Sequence, residues 1–352
     1  MLCVLLSLKP TWVRDDFVAY SHGINRSLDC LTKEQVGKSY SSIVRTWNLT
    51  SIVLMIYLLL VRDMFIEPML LMKQEHPFED SNTIYEPKID GHRLILSRIN
   101  RETRLYTRHN NDCTAQYPEL HDVPAAKDII LDGEVYCTDE RGQIDFELIM
   151  SRFQTKGETK IAAAMKRNPV GMMVFDILFY AGKDLRGLPL TERKRILDEV
   201  VADSPFIHKI QFVERDGKAL YEAIKQHDME GIVCKRKDSI YVGKRSADWQ
   251  KVINYQYADV YLSGLRKGDF GWLASVQEAS GRFRPAGVIE FGVPPAHKQA
   301  FREISKQLVT GEDKNFVYLD PRLKATVKFR NWTRSGMLRS PVFVDFVLNH
   351  VG

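Results

Sequence analysis

The sequence predicts an α+β protein in which mainly antiparallel sheets are followed by a small β-barrel. From residue 64 onward, short runs rich in β-branched and aromatic residues alternate with Asp-Gly and other turn dipeptides, a pattern typical of hairpins. After residue 255, short strands recur at regular spacing around one helical stretch. That spacing is typical of a closed or partly open barrel.

The chain has 352 residues, more than a single domain usually contains, so we expect two domains that each bury their own core. The change of pattern places the boundary near Tyr255, which gives a first domain at 64–255 and a second at 256–352. Residues 1–63 do not share the pattern. We interpret them as an N-terminal extension of unknown role, or as the result of a misassigned start upstream of Met64.

Three helices are expected among the strands. Thr191 is a candidate N-cap for a helix that continues to Val200, and a second helix is predicted near 219–227. The stretch 296–308 should form the helix of the barrel. The first two are interpreted as packing elements.

Composition excludes several classes of protein. The net charge of +5 is too small to identify a nucleic-acid partner by itself. The five cysteines are scattered without a C-x-x-C pair, which disfavours a disulfide framework or a zinc site and favours a reducing cytoplasm. The apolar run 52–61 is shorter than the roughly 20 residues that a membrane-spanning helix needs, so we expect no membrane association.

The segment Glu86 to Arg93 (E-P-K-I-D-G-H-R) is the clearest candidate for chemistry. A lysine acts as a nucleophile only when its amine is deprotonated, and burial and neighbouring cations lower its pKa. Arg93 could bind the phosphate that such a lysine attacks. The alternative is a surface hairpin whose charged side chains are only solvated.

The K-x-D-G-x-R run that starts at Lys88 resembles motif I of the covalent nucleotidyltransferases, which include ATP-dependent DNA ligases, RNA ligases and mRNA capping enzymes. Four further motifs follow in the family's order. They are Asp132-Gly133-Glu134, Val174-Phe175-Asp176, Glu230 to Lys235 and Trp249-Gln250-Lys251. The resemblance extends from residue 64 to the C-terminus and implies a nucleotidyltransferase (adenylation) domain followed by an OB-fold domain.

The resemblance implies a role for each matching residue. Lys88 would attack the α-phosphorus of ATP and become lysyl-AMP, and Glu86 would accept a hydrogen bond from the adenine amino group. Glu134 would reach the ribose or the metal ion, and Glu230 would supply a carboxylate to the metal; Mg²⁺ and Mn²⁺ prefer such hard oxygen ligands. Phe175 would stack on the adenine, although its apolar neighbours also suit a core aromatic.

The basic residues at the matching positions are implied to contact the nucleotide or the 5′-phosphate of a nick. They are Arg93, Arg108, Arg245 and Lys251. Five residues of the second domain are further candidates to line duplex DNA. They are Arg266, Lys267, Trp272, Arg282 and Arg284.

The implied function is that of an ATP-dependent DNA ligase, acting as a monomer on nicked duplex DNA through lysyl-AMP and DNA-adenylate intermediates. The stretches 325–329 and 336–341 resemble the end of the OB-fold domain in bacterial ligases, including the ligase part of end-joining enzymes. Repair or end-joining proteins are therefore candidate partners.

Two departures from the family pattern keep alternatives open. Ile253 stands where many ligases have a second lysine of motif V, and the R-x-D-K type of motif VI is absent before Gly352. Self-adenylation could be slow, or another basic residue could substitute. The alternatives are an RNA ligase or capping-type nucleotidyltransferase, and a catalytically weak protein that binds nicks or ends.

Overall fold

A computed structural model of the protein describes residues 65–202 and 204–347. These described residues form one compact unit. The extension predicted at 1–63 lies outside the described residues, so that interpretation stays a prediction. None of the helices in the described part is both long and apolar enough to cross a membrane.

Strands dominate the described residues. In chain order they are β1 (Leu70–Gln74), β2 (Thr83–Pro87), β3 (His92–Ile99), β4 (Glu102–Thr107), β5 (Ile129–Tyr136), β6 (Gly171–Tyr180), β7 (Lys183–Asp184), β8 (Ile207–Lys209), β9 (Val213–Glu214), β10 (Gly231–Arg236), β11 (Arg245–Ile253), β12 (Gln256–Arg266), β13 (Trp272–Gln277), β14 (Phe283–Ile289), β15 (Val309–Glu312), β16 (Phe316–Leu319), β17 (Lys324–Phe329) and β18 (Val342–Val347). The α-helices are α1 (Phe146–Gln154), α2 (Glu158–Arg167), α3 (Leu190–Val200), α4 (Gly217–Gln226) and α5 (Pro295–Ser305).

The first eleven strands form two sheets. The five-stranded sheet has the order β1-β11-β10-β2-β9, and the six-stranded sheet has the order β4-β3-β5-β6-β7 with β8 also paired to β6. Only β1–β11 and β6–β8 are parallel pairs among these strands. The predicted α+β class with antiparallel-rich sheets is confirmed.

Each sheet buries one face against helices. The six-stranded sheet packs a core of aliphatic side chains from β3, β5 and β6 against Ile149 of α1 and Leu197 of α3. The five-stranded sheet packs Ile232 and Val252 against Ile224 of α4. The two helices predicted to be packing elements, α3 and α4, therefore each pack on a sheet.

The start of α3 differs from the prediction. Its N-cap is Pro189, which provides no side-chain hydrogen bond, and Thr191 already lies inside the helix. Pro189 is compatible with this position because the first amide groups of a helix have no intrahelical partner. The Thr191 cap prediction was wrong because a local capping preference did not decide where the helix began.

The remaining strands form a third, seven-stranded sheet. β12 pairs with β13 on one edge and with both β16 and β17 on the other, and β17 pairs with β18. Phe291, just after β14, forms a parallel bridge with Val342 at the start of β18. Strands β12, β13, β14, β18 and β17 are thus joined into a ring. The predicted boundary near Tyr255 falls between β11 and β12.

The interior of this ring corrects one candidate. Trp272 was expected to face duplex DNA, but it is only 2% exposed and packs against Phe301, Phe343 and Phe346. A large aromatic side chain on a short strand of a small barrel fills the core because burial of its apolar area is favourable. Trp272 is a core residue.

A buried ion pair fixes α3 to the six-stranded sheet. Both nitrogens of one edge of the Arg193 guanidinium donate to the carboxylate of Asp176 at 2.8 Å, and both side chains are fully buried. Arg193 also donates to the carbonyls of Leu188 and Ser239. These bonds satisfy the charge that burial removes from water.

We expect Arg193→Leu to lower the free energy of unfolding by about 3–5 kcal/mol, because it leaves the Asp176 carboxylate buried and unpaired. Arg195→Leu is the matched control on the same helix, since Arg195 is 55% exposed and its ion pairs with Glu192 and Glu199 lie in solvent. The control should cost less than about 1 kcal/mol. Urea denaturation measures both, and equal losses would contradict the prediction.

Candidate active site

Lys88 follows the last residue of β2 and begins the short connection to β3. Its backbone amide donates to the Gly231 carbonyl at 2.8 Å, which ties this connection to the start of β10. At Gly91 a Cβ atom would lie 2.1 Å from the carbonyl oxygen of Val135. Only glycine can approach β5 this closely, which explains on steric grounds why the motif has glycine after its aspartate.

The Lys88 amine forms a hydrogen bond with Glu230, one of the two predicted metal ligands. Its Nζ donates to Oε2 of Glu230 at 2.7 Å, and the two side chains are 17% and 4% exposed. Burial is the main reason that the pKa of Lys88 is lowered, although the carboxylate of Glu134 acts in the opposite direction. The interpretation of this segment as a solvated surface hairpin is therefore wrong.

Glu134, the second predicted metal ligand, lies on β5 with its Cγ against Gly91. Burial raises the pKa of its carboxyl group to about 7, and the nearby cations Lys88 and Arg93 oppose that shift. The structure thus brings Glu134 to the same crevice as Lys88 and Glu230. It is half-buried rather than solvated.

Arg93 is held rigidly by a carboxylate that the sequence analysis left without a role. Asp132 accepts two hydrogen bonds from Arg93, at 3.0 and 2.6 Å, and a third from the Tyr241 hydroxyl at 2.7 Å. The Tyr241 hydroxyl also accepts from the Met69 amide at 3.0 Å. Asp132 belongs to the same Asp-Gly-Glu motif as Glu134. Its place in that motif is the sequence signal that would have predicted a role for it in the crevice.

Phe175 forms one wall of the crevice. It is half-buried, and its ring lies 5.2 Å from the Arg93 guanidinium and 4.4 Å from the Lys235 amine. Lys235 is fully buried between this ring and that of Trp249, at 4.1 Å. The motifs contain both Lys235 and Trp249 but imply no role for either residue.

Glu86 is buried, with its carboxylate paired to Lys194 at 2.5 Å and to Lys235 at 2.8 Å. It is therefore not a solvated strand residue. A carboxylate has about four lone-pair positions, so two lysines leave it capacity for a further donor. Lys194, on α3, was not predicted to approach this site.

The other predicted phosphate contacts surround a second side of the crevice. Lys251 is half-buried on β11, whereas Arg108 and Arg245 are exposed. Burial lowers the pKa of Lys251, and the positive charges of Lys88, Arg245 and Arg108 lower it further. Lys88, Lys251, Arg108 and Arg245 are therefore near enough to interact electrostatically, an arrangement suited to polyanionic phosphates. Arg245 also donates to the Leu71 carbonyl.

A hairpin after β17 reaches the same crevice and was missed. Arg330 binds Oε1 of Glu230, and Arg339 binds the Asp90 carboxylate, with one of its contacts at 2.8 Å. Arg339 lies in the stretch 336–341, whose resemblance to bacterial ligases implied no contact with the crevice. Arg330 has no sequence signal that predicts such a contact. We call residues 330–339 the arginine hairpin.

Ile253, at the position of the second lysine of motif V, is 5% exposed and pairs with Gly231 in the five-stranded sheet. It adds no charge to the crevice. Arg330 and Arg339 are cations in the crevice that neither motif V nor motif VI predicted. The expectation that another basic residue could substitute is therefore compatible with the structure.

The fold and this crevice define a class of protein. A lysine of lowered pKa lies beside two carboxylates, a cluster of cations and an aromatic wall, which are the groups that nucleotidyl transfer requires. Residues 68–252 match the family model described as the ATP-dependent DNA ligase domain. The chain belongs to the ATP-dependent DNA ligase family.

The relatives agree with this assignment. The chain is 38% identical over 281 residues to the SPbeta prophage-derived DNA ligase-like protein LigB of Bacillus subtilis (strain 168), a match that covers 80% of this chain and 98% of that protein. It is 28% identical over 280 residues to the multifunctional non-homologous end joining protein LigD of Mycobacterium bovis, covering 74% of this chain. The matched region spans only 35% of LigD.

Among solved structures, one described as a structure-function analysis of DNA binding with a minimal scaffold in Lig E DNA ligases is similar in fold. The match has a TM-score of 0.56 and 17% identity, and it covers 80% of this chain and all of that one. At this identity the likeness supports the fold alone.

The burial of Lys235 predicts a dependence of stability on pH. Burial lowers its pKa from 10.5 to about 8, so between these values the unfolded chain binds the proton and the folded protein does not. Stability attributable to Lys235 therefore rises with pH in this window. We expect wild type to gain stability relative to Lys235→Met from about pH 8 to about pH 10.5. Urea denaturation across this range measures it, and a constant difference would contradict the assignment.

Proposed function

We propose that the protein is an ATP-dependent DNA ligase that seals nicks bearing a 3′-hydroxyl and a 5′-phosphate through an AMP adduct on Lys88. The observation that supports this most directly is the buried Lys88 amine, with its lowered pKa, bonded to Glu230. A lysine in this state is closer to the neutral, nucleophilic form than a surface lysine. ATP is the co-substrate.

In the first step, the bond from Lys88 Nζ to the α-phosphorus forms as the bond to pyrophosphate breaks. Glu230 Oε2, at 2.7 Å from Nζ, is positioned to accept the proton that the amine releases. AMP then moves to the 5′-phosphate of the nick, which regenerates Lys88. Finally the 3′-hydroxyl attacks that phosphate, and AMP leaves.

The adenosine would lie between the two sheets. Phe175 offers its ring to the base, and Glu86, ion-paired with Lys194 and Lys235, retains capacity to accept from an adenine amino group, since its Oε1 has no hydrogen-bond donor. Guanine presents a carbonyl at that position, which a carboxylate would repel. We therefore propose ATP rather than GTP.

The phosphates would lie on the side of the cations. Arg93 is oriented by Asp132 so that its remaining guanidinium edge can bind a phosphate, and Lys251, Arg108 and Arg245 approach from β11 and the end of β4. Fixed positive charges of this kind stabilise the charge that develops during phosphoryl transfer.

The carboxylates of Glu134 and Glu230 fit a divalent ion. Within the described residues no group of three or more His, Cys, Asp and Glu side chains is arranged to hold a metal. Mg²⁺ commonly binds through one or two carboxylates and completes its coordination with substrate phosphates and water. Bound there, Mg²⁺ or Mn²⁺ would neutralise phosphate charge during transfer.

We propose that residues 64–255 form the adenylation domain and that residues 256–352 form an OB-fold domain that binds duplex DNA. The ring of β12, β13, β14, β18 and β17 supports a five-stranded barrel. Four basic residues remain candidates for phosphate contacts after the correction at Trp272. They are Arg266, Lys267, Arg282 and Arg284.

The biological setting is also a proposal. We expect a monomer in the cytoplasm, where reduced thiols are the rule, and Cys113, Cys137 and Cys234 are free and buried. The relative named for non-homologous end joining makes end-joining or repair proteins candidate partners. Genomic neighbourhood would test the pathway.

The central test uses ATP labelled on the α-phosphate, with magnesium and the full chain. Wild type should acquire a covalent label that moves into sealed product when nicked DNA is added, whereas Lys88→Ala should acquire none. Lys306→Ala, at an exposed lysine after α5, is the control and should behave as wild type. If wild type acquired no label, the ligase proposal would be wrong and a protein that only binds DNA nicks or ends would remain.

The same assay with labelled GTP distinguishes a capping-type enzyme. Label from GTP in place of ATP would contradict the adenine assignment. Sealing of nicked RNA but not of nicked DNA would indicate an RNA ligase.

We expect Phe175→Ala to raise the KM for ATP in self-adenylation about 5- to 150-fold, because loss of base stacking costs ~1–3 kcal/mol. Phe206→Ala is the control, since Phe206 is 37% exposed and lies outside the crevice. Steady-state label incorporation at varied ATP measures both variants. An unchanged KM for Phe175→Ala, with normal folding, would assign Phe175 to packing alone.

A further inference from the structure

The arginine hairpin is a defined structural element. The Arg330 amide donates to the Arg339 carbonyl at 3.0 Å, and the Arg339 amide donates to the Asn331 carbonyl at 3.0 Å. The Trp332–Leu338 bridge continues the ladder. Arg330 and Arg339 are therefore held close together at the base of one hairpin.

The hairpin contacts the catalytic crevice and α1. Besides the bonds of Arg330 and Arg339, Arg334 at the turn binds Asp145 at 2.5 Å, and its amide donates to Glu147 at 2.9 Å. Each arginine therefore has a carboxylate partner on the other side. Three ion pairs can hold the hairpin against the crevice, and because each contributes only a small free energy, the hairpin can still be displaced.

Arg330 is the contact with a chemical consequence. Glu230 is 4% exposed, and its two carboxylate oxygens face two different cations, Lys88 on Oε2 and Arg330 on Oε1. One negative charge is thus already matched by two positive charges. A divalent ion at Glu230 would meet the positive charge of the Arg330 guanidinium and would need the space that this guanidinium occupies.

We propose that Arg330 competes with the divalent ion for Glu230, so that metal binding and docking of the arginine hairpin exclude each other. This rests on the proposed function in taking Glu230 as a metal ligand. The coupling is reciprocal: metal weakens the docking of the hairpin, and docking weakens the affinity for metal by the same factor.

The test is a titration of the full-length protein with Mn²⁺ alone, in which free Mn²⁺ is followed by electron paramagnetic resonance without ATP or DNA. Arg330→Gln should lower the Kd for Mn²⁺ at least about fivefold, the lower end of usual coupling between sites. Arg322→Gln makes the same charge change at a residue that is 74% exposed, and it should leave the Kd unchanged. An unchanged or higher Kd for Arg330→Gln overturns the proposal.

The gain must also depend on Glu230. Glu230→Gln should weaken Mn²⁺ binding, and adding Arg330→Gln to it should give no further change. A gain that persists in the double variant overturns the proposal, because it would then arise elsewhere. Weaker Mn²⁺ binding in Arg330→Gln alone would also overturn it, because Arg330 would then favour the bound ion rather than compete with it.

Hydrogen exchange can be measured on wild type, so that this test does not depend on whether a variant folds. Saturating Mn²⁺ should speed hydrogen exchange of the amides at 330–339, because the hairpin undocks. Unchanged or slower exchange overturns the proposal. Neither measurement uses ATP, so a failure of the labelling of Lys88 would remove the proposed function while the competition at Glu230 is judged separately.

Discussion

The crevice depends on one fully buried carboxylate, that of Asp132. It lies on β5 in the six-stranded sheet and accepts hydrogen bonds from Arg93 of the same sheet and from Tyr241, which precedes β11 of the five-stranded sheet. A buried charge without partners is very costly, so the two sheets are held in the one arrangement that supplies all of these donors. Removing Asp132 would leave Arg93 without its anchor.

The same constraint governs the adjoining residues. Glu86, Lys194 and Lys235 are nearly or fully buried, and each charge has an opposite charge within 2.8 Å. The cost of desolvation is offset only while these pairs are intact, which gives the crevice a fixed shape before any ligand binds. Preorganised charges of this kind need little rearrangement when a phosphate replaces water.

The second half of the chain completes the crevice by the arginine hairpin. Arg330 and Arg339 contact Glu230 and Asp90, so the residues around Lys88 are shielded from solvent by a segment nearly 250 positions away in sequence. A ligase must also admit a DNA end to this place. The proposed exchange between Arg330 and a divalent ion would link that opening to the occupancy of the site.

The sequence by itself determined the class of fold, the order of most elements and the residues that gather around Lys88. These were predictable because alternating apolar residues and turn dipeptides are local, and because the motifs occur in one order. Glu134, Phe175 and Lys251 accordingly lie in one crevice with Lys88. Tertiary structure alone decided that Glu86 is buried between two lysines, that Trp272 is a core residue and that Arg330 contacts Glu230. These depend on which distant side chains must share a low-dielectric space, and no local pattern encodes that pairing.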